Sequence, residues 1–317
     1  MSSIQPRKLT VVGAGYVGAT VAHLAALKDL ASEIVLLDVI EGRPQGIALD
    51  MNQSAAIEGF AARIVGTNDP ADTCDSDVFI VTAGLPRKPG MSRSDLLEVN
   101  GKIVCSVAET IRDGSPESIV IVVTNPLDSM VSLMRVKTGF PARRVIGMAG
   151  VLDSARFSWF IAEAARAGVR DVDAMVLGAH GDSMVPMPDY CTVNGVRAID
   201  LLGAPALDAM ADRTKKGGAE IVGLLKTGSA WYAPASASVA MAESILSGAG
   251  RLLPCACFLN GEFGFEGLYM GVPAILGREG VERIVELPLT AEARALMQKT
   301  AGAIASDVEA MRELGLL

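Results

Sequence analysis

Aromatic residues are scarce in this chain: two tryptophans, four tyrosines and eight phenylalanines among 317 residues. Half of the residues are nonetheless hydrophobic, so the core must be aliphatic. The length suffices for two domains or one large α/β unit. Cysteines are few, odd in number and scattered, at Cys74, Cys105, Cys191, Cys255 and Cys257. This argues against a disulfide framework and reads as a set of reduced intracellular thiols. Cys255 and Cys257 share one face of an apolar run, but no second Cys or His cluster supports a metal site there. Positive charge is in deficit. The formal net charge of −8 weighs against nucleic acid or an anionic membrane as a partner. No apolar run approaches the length of a membrane span. The polar stretch Met1 to Lys8 leads directly into a strand, without the pattern of a signal peptide. The expected location is the cytoplasm.

Glycine, by contrast, is abundant, with 33 residues, and the stretch from Leu9 to Asp38 shows one use of it. Leu9 to Val12 is a short apolar run of the kind that forms a buried strand. Gly13, Gly15 and Gly18 follow as G-x-G-x-x-G, then an Ala-rich helix from Ala19 to Leu27, then a second apolar run from Ile34 to Leu37 that ends on Asp38. Gly13 permits a tight turn, Gly15 lets a pyrophosphate approach the backbone, and Gly18 lets helix and strand pack closely. The phosphates then rest on free amides at the helix N-terminus. Asp38 follows Gly18 by 20 residues, where an acid binds ribose hydroxyls and repels a 2′-phosphate. NAD is thus expected over NADP, with Arg43 the one nearby cation that would weigh the other way.

Further along, the sequence predicts a helix from Gly42 to Ala56 and strands at Arg63–Val65 and Asp77–Thr82. Strand, crossover and strand at this spacing mean right-handed βαβ units and a parallel sheet. The loop from Leu85 carries Arg87, Lys88 and Arg93 among Pro86, Pro89 and Gly90, and Ser94 is the expected cap of a helix from Asp95 to Arg112. Such a cationic loop is either a solvated charge run or a lid, since it leaves the carboxyl end of a parallel strand. Ser118–Thr124 is a central strand ending on Asn125, either a turn residue or a ligand contact. A short strand, Arg144–Gly147, closes this half. In the second half, Leu152–Ala167 is helical, with Asp153 and Arg156 on one face as a surface salt bridge in the plainest reading. Asp171–Leu177 reads as a strand leading to His180, whose small neighbours would leave its ring exposed. His23, the only other histidine, lies within the first helix. Asn194-Gly195 signals a hairpin. Helices at Ala206–Leu225 and Ala233–Leu246, strands at Arg251–Leu259, Gly267–Leu276 and Arg283–Leu287, and a final helix capped by Thr290 complete the chain. The expected fold is α/β: a Rossmann-type parallel sheet with helices on both faces over residues 1–149, then an α+β domain with antiparallel strands over residues 150–317.

Over its whole length the chain resembles the lactate/malate dehydrogenase family. The resemblance is carried by GAGYVG, VTAGLPRKPGMSRSDLL, VTNPLD, GMAGVLDSARF and GAHGDSMVP, in the family's order and spacing. It implies an NAD-dependent oxidoreductase for a 2-hydroxy acid, with His180 as proton acceptor and donor and Asp153 orienting it. It also implies that Arg156 clamps the carboxylate at the reacting end, that Arg93 polarises the carbonyl, and that Asn125 contacts substrate. Asn100, Thr124 and Asn125 join Gly13, Gly15, Gly18 and Asp38 as cofactor-binding residues. Arg87 falls where the malate-oxidising members have Arg and the lactate-oxidising members typically Gln. Ala230 falls where the latter tend to have Thr. The implied reaction is the reversible oxidation of (S)-malate to oxaloacetate, with lactate or another 2-hydroxy acid on the same fold as the alternative. A catalytically inert NAD-binding scaffold would have no need of His180, Asp153, Arg156, Arg93 and Asn125 together. The implied assembly is a homodimer or homotetramer.

Overall fold

Strands of the first half carry apolar side chains on both faces, as parallel strands covered by helices on either side must. The computed structural model describes residues 7–86, 92–181 and 183–317, with Arg93 described by its backbone alone. It begins β1 (Lys8–Val12), α1 (Tyr16–Leu27), β2 (Glu33–Leu37), α2 (Arg43–Glu58), β3 (Arg63–Thr67) and β4 (Val78–Val81). It continues α3 (Arg93–Gly114), β5 (Ile119–Val122), α4 (Leu127–Thr138) and β6 (Val145–Gly147). These six strands are parallel, in the order β3-β2-β1-β4-β5-β6. Side chains alternate between two cores. Leu9, Val11, Ile80 and Ile121 face one with Val21, Ala22 and Ala25 of α1. Phe79, Val81, Val120 and Val122 face the other with Val104 and Ile111 of α3 and Met130 and Leu133 of α4. Each buried Val, Leu, Ile, Phe or Met among them contributes roughly 1.5–3 kcal/mol.

The second half runs α5 (Gly150–Ala165), β7 (Val172–Asp173), β8 (Val176–Gly178), β9 (Met184–Pro186), β10 (Thr192–Val193) and β11 (Val196–Arg197). Then come α6 (Ala198–Leu202), α7 (Ala204–Leu225), α8 (Tyr232–Ser247), β12 (Arg251–Asn260), β13 (Glu266–Gly277), β14 (Gly280–Ile284) and α9 (Ala291–Glu313). The antiparallel strands extend the same sheet: β12 meets β6 through Ala256 and Gly147, and β13 meets β8 through Gly271 and Gly178. Cys255 and Cys257 are buried on one face of β12, their Sγ atoms 3.7 Å apart. Among the described residues no helix is long and apolar enough to cross a membrane.

Some elements depart from the sequence reading. α3 is capped by Ser92, not Ser94: Ser92 Oγ accepts the Asp95 amide while Asp95 accepts that of Ser92, a reciprocal capping box. The strand expected at 171–177 splits, because Val172–Asp173 pairs with β10 in a separate three-stranded sheet and Val176–Gly178 with β9 and β13 in the large one. The last strand begins three residues early, at Gly280. α1 starts at Tyr16, with Gly15 as its N-cap and Gly18 inside it.

Candidate active site

The chain reverses its direction of travel across the sheet between β1 and β4, and a cleft of about 640 Å³ opens at their carboxyl ends. Gly13, Gly15 and Asp38 line it, with Thr82 and Ala83 from the end of β4. Gly13 holds φ +103°, and a Cβ there would stand 2.8 Å from both the Ala83 amide nitrogen and Thr82 Oγ1. A Cβ on Gly18 would collide with the Gly13 carbonyl, so α1 could not approach β1. At Gly15 nothing lies within 4 Å of such an atom, and no side chain caps α1. An open glycine face beside uncapped helix amides fits a pyrophosphate. Asp38 Oδ2 accepts the Ala14 amide at 2.6 Å and Oδ1 the Ile40 amide at 2.9 Å. Each oxygen keeps a lone pair for a ribose hydroxyl. The residues present therefore fit NAD. Beside the cleft, Tyr16 stacks on Trp231 with centroids 5.1 Å apart, and Trp231 meets Tyr232 at the start of α8.

Thr124 and Asn100 spend their polar atoms inside the protein. Thr124 Oγ1 donates to the Ala83 carbonyl at 2.7 Å. The buried Asn100 amide accepts from the Leu85 nitrogen at 2.8 Å and donates to the Leu85 and Asn125 carbonyls at 3.1 and 2.6 Å. It fastens Leu85, beyond β4, to Asn125, beyond β5. Arg87 lies outside the described residues, as does the side chain of Arg93.

The second cluster forms where α5 docks on β8. Ser154 Oγ accepts the Val176 amide at 2.9 Å, and Gly150 passes so close to Val176 that a Cβ would stand 2.5 Å from its carbonyl oxygen. That docking brings Asp153, in the first turn of α5, to His180, just past β8. Asp153 Oδ2 lies 2.9 Å from His180 Nδ1, and Oδ1 accepts from Arg156 Nη1 at 3.2 Å. The expected surface salt bridge is therefore buried: Asp153 is 1% exposed. The His180 ring is 16% exposed, so it is largely covered rather than projecting into solvent. An ionised carboxylate only accepts, so Nδ1 is assigned the proton and Nε2 is the free nitrogen. Burial pushes the imidazole's affinity for a proton down. The charge and hydrogen bond of Asp153, aided by Asp128 and opposed by Arg156, outweigh it, and the pKa stands above its ordinary value.

Arg156 Nε is buried with no hydrogen-bond partner among the described residues. Gly217 of α7 makes room for this side chain, since a Cβ there would stand 3.2 Å from Arg156 Cδ. A guanidinium with unspent donors beside an imidazole is suited to a carboxylate next to a carbon that gains or loses a proton-bearing oxygen. Sequence reasoning missed Gly217 and Asp128. Asp128, in the first turn of α4, accepts the His180 amide through Oδ2 at 3.3 Å. The only sequence signal for it was an acid closing the VTNPLD stretch. His23 is a half-buried residue of α1.

Comparison with known proteins agrees with this geometry. The family model for the lactate/malate dehydrogenase NAD binding domain matches residues 7–147, and that for the lactate/malate dehydrogenase alpha/beta C-terminal domain matches residues 150–314. A malate dehydrogenase of Roseiflexus castenholzii is 50% identical over 307 residues, 97% of this chain and 99% of the relative. The solved malate dehydrogenase of Salinibacter ruber superposes with a TM-score of 0.93 at 48% identity, covering 97% of this chain and 98% of that one. The lactate dehydrogenase of Cryptosporidium parvum, solved with lactic acid and NAD, superposes with a TM-score of 0.94 at 41% identity, covering 98% and 99%. The chain belongs to the lactate/malate dehydrogenase family of NAD-dependent oxidoreductases.

Proposed function

We propose that the chain catalyses the reversible oxidation of (S)-malate to oxaloacetate. The observation that carries this reading is Asp153 bridging His180 and Arg156, an oriented base beside a carboxylate clamp. His180 Nε2 takes the hydroxyl proton, and the imidazolium formed is stabilised by Asp153. Arg156 holds the carboxylate next to the reacting carbon. Asn125 contacts substrate, Arg93 steadies the developing charge on oxygen, and Arg87 meets the second carboxylate. The chemistry that NAD supplies when bound is acceptance of hydride from C2. Gly15 and the free amides of α1 would hold its phosphates and Asp38 its ribose, with Gly13 and Gly18 setting the turn that allows this, while Asn100, Thr124 and Asn125 would shape the end of the cleft nearest the substrate. The choice of malate over lactate rests on Arg87 in the sequence and on relatives named malate dehydrogenase at 50% identity.

The reading extends to a division of labour between a cofactor domain, 1–149, and a substrate domain, 150–317. It also places the chain in the cytoplasm, in the tricarboxylic acid cycle, as a homodimer or homotetramer. The free cysteines support an intracellular setting. Exposed apolar side chains such as Ile57, 87% exposed, and Leu224, 77% exposed, support self-association. The test is a steady-state comparison of oxaloacetate with pyruvate, each with NADH and NADPH. Oxaloacetate with NADH is expected to win by ~10³-fold or more in kcat/KM over pyruvate. Equal use of both ketoacids would remove the malate reading.

A further inference from the structure

The carboxylate of Asp128 is buried within the site and plays no part in the reaction just described. Oδ2 accepts the His180 amide at 3.3 Å; Oδ1 is buried and has no hydrogen-bond partner among the described residues. Asp153 has Arg156 to balance it, but among the described residues the cation that acts on Asp128 is the imidazolium form of His180. Asp128 is also a bridge between halves of the molecule. It stands three residues beyond Asn125, in the first turn of α4, whereas His180 follows β8. The loop after His180 is held from a third side, where Thr300 of α9 donates to the Ser183 carbonyl at 2.7 Å.

We propose that Asp128 is a positioning residue for His180, tying its backbone to the turn that carries Asn125 and biasing its ring, by charge, towards the protonated form. The inference rests on His180 being the acid–base group of the proposed reaction. Two consequences follow from the geometry. The hydrogen bond to the His180 amide ties the backbone that carries the ring to the turn that carries Asn125, while Asp153 holds the ring itself. The charge adds to that of Asp153 and favours the imidazolium that forms as a hydroxy acid is oxidised. Burial pushes Asp128 itself up to about 7, against the pull of His180's charge and amide, so it is ionised on the alkaline side of neutrality, where its effect on His180 is read. Among the described residues, the charged groups facing this pair are Asp153 and Arg156 on α5. On α9, Asp307 faces Ser129, the neighbour of Asp128.

The experiment uses Asp128→Asn, which retains an oxygen to accept the His180 amide but lacks the charge, and Asp128→Ala, which lacks both. The chain has two histidines, so the His180 ring can be followed by NMR titration in the full-length protein, with His180→Asn to assign it. Asp128→Asn should move its midpoint about half a unit or more to lower pH. The alkaline limb of kcat/KM for oxaloacetate reduction should move with it, while NADH affinity stays within twofold. Asp128→Ala should lower kcat at least ~10-fold. An unmoved ring titration and unmoved pH profile in Asp128→Asn overturn the proposal, even where Asp128→Ala does not fold. If the ring titration moves but wild type fails to reduce oxaloacetate, the proposed reaction falls and the coupling of the two residues stands.

Discussion

Asp153 Oδ2 lies 2.9 Å from His180 Nδ1, across 27 residues of sequence and between two different elements. One carboxylate thereby fixes the tautomer of the imidazole, while its other oxygen holds Arg156. The imidazole and the guanidinium are therefore held to one another through a single carboxylate. His180→Asn should leave NADH binding nearly intact and lower kcat by at least ~10²-fold, the usual scale of acid–base help. NADH titration and single-turnover rates check this; near-normal turnover would remove His180 from the mechanism.

Asp38 has two tasks. It accepts the amides of Ala14 and Ile40, which order the glycine turn, and its proposed second task is to bind ribose hydroxyls. Asp38→Ser should therefore both raise KM for NADH, by roughly tenfold, and relax the preference for NADH over NADPH. The paired KM values measure both effects, and equal use of NADPH by wild type would contradict the ribose role.

Specificity is expected to turn on Arg87. A second carboxylate in a closed site must meet a cation, and a charge-assisted hydrogen bond is worth about 1.5–3 kcal/mol. A buried ion left without its partner costs about 3–5 kcal/mol. Arg87→Gln should cut kcat/KM for oxaloacetate sharply while that for pyruvate rises. Lys88→Gln should do far less, because an ammonium lacks the planar fork that matches a carboxylate. Loss of preference in the lysine variant alone would reassign the role within the loop.

Asp128 also predicts a pH dependence of stability. Its folded pKa is raised from 3.8 to about 7 by burial. Between those values the folded chain retains a proton that the unfolded chain has released, so this group's contribution falls as pH rises through the window. Asp128→Asn does not titrate. Its Tm relative to wild type should increase from pH 5 to pH 8, and thermal melts at the two values test the sign. A difference independent of pH would show that Asp128 keeps an ordinary carboxylate pKa.

The glycine turn and Asp38 were legible in the sequence because they are local: strand, turn, helix and acid follow within 30 residues, and each residue type has a steric or electrostatic reason. The partnership of Asp153 with Arg156 was legible as a spacing, but its burial was not, since that depends on α5 packing against β8. The same docking explains why His180 is covered, although its small neighbours pointed to exposure. Ser92, unlike Ser94, has an acid three residues on at Asp95, so the capping box was legible as a spacing although Ser94 was read as the cap. The strand at 171–177 splits because its two ends find partners in different sheets, a choice no local propensity encodes. Asp128 was invisible as a partner of His180 because the two are 52 residues apart.

The stack of Tyr16 on Trp231 equips the molecule with its own optical reporter. Tyr16 directly follows Gly15, at the mouth of the cleft, and Trp231 is one of two indoles in the chain. Reduced nicotinamide absorbs where indole emits, so NADH bound in the cleft next to Gly15 is expected to take up energy from an excited Trp231. Cofactor occupancy can thus be followed as a loss of tryptophan emission, without a label and without turnover. Trp231→Phe should leave only the contribution of Trp159, which is exposed on α5.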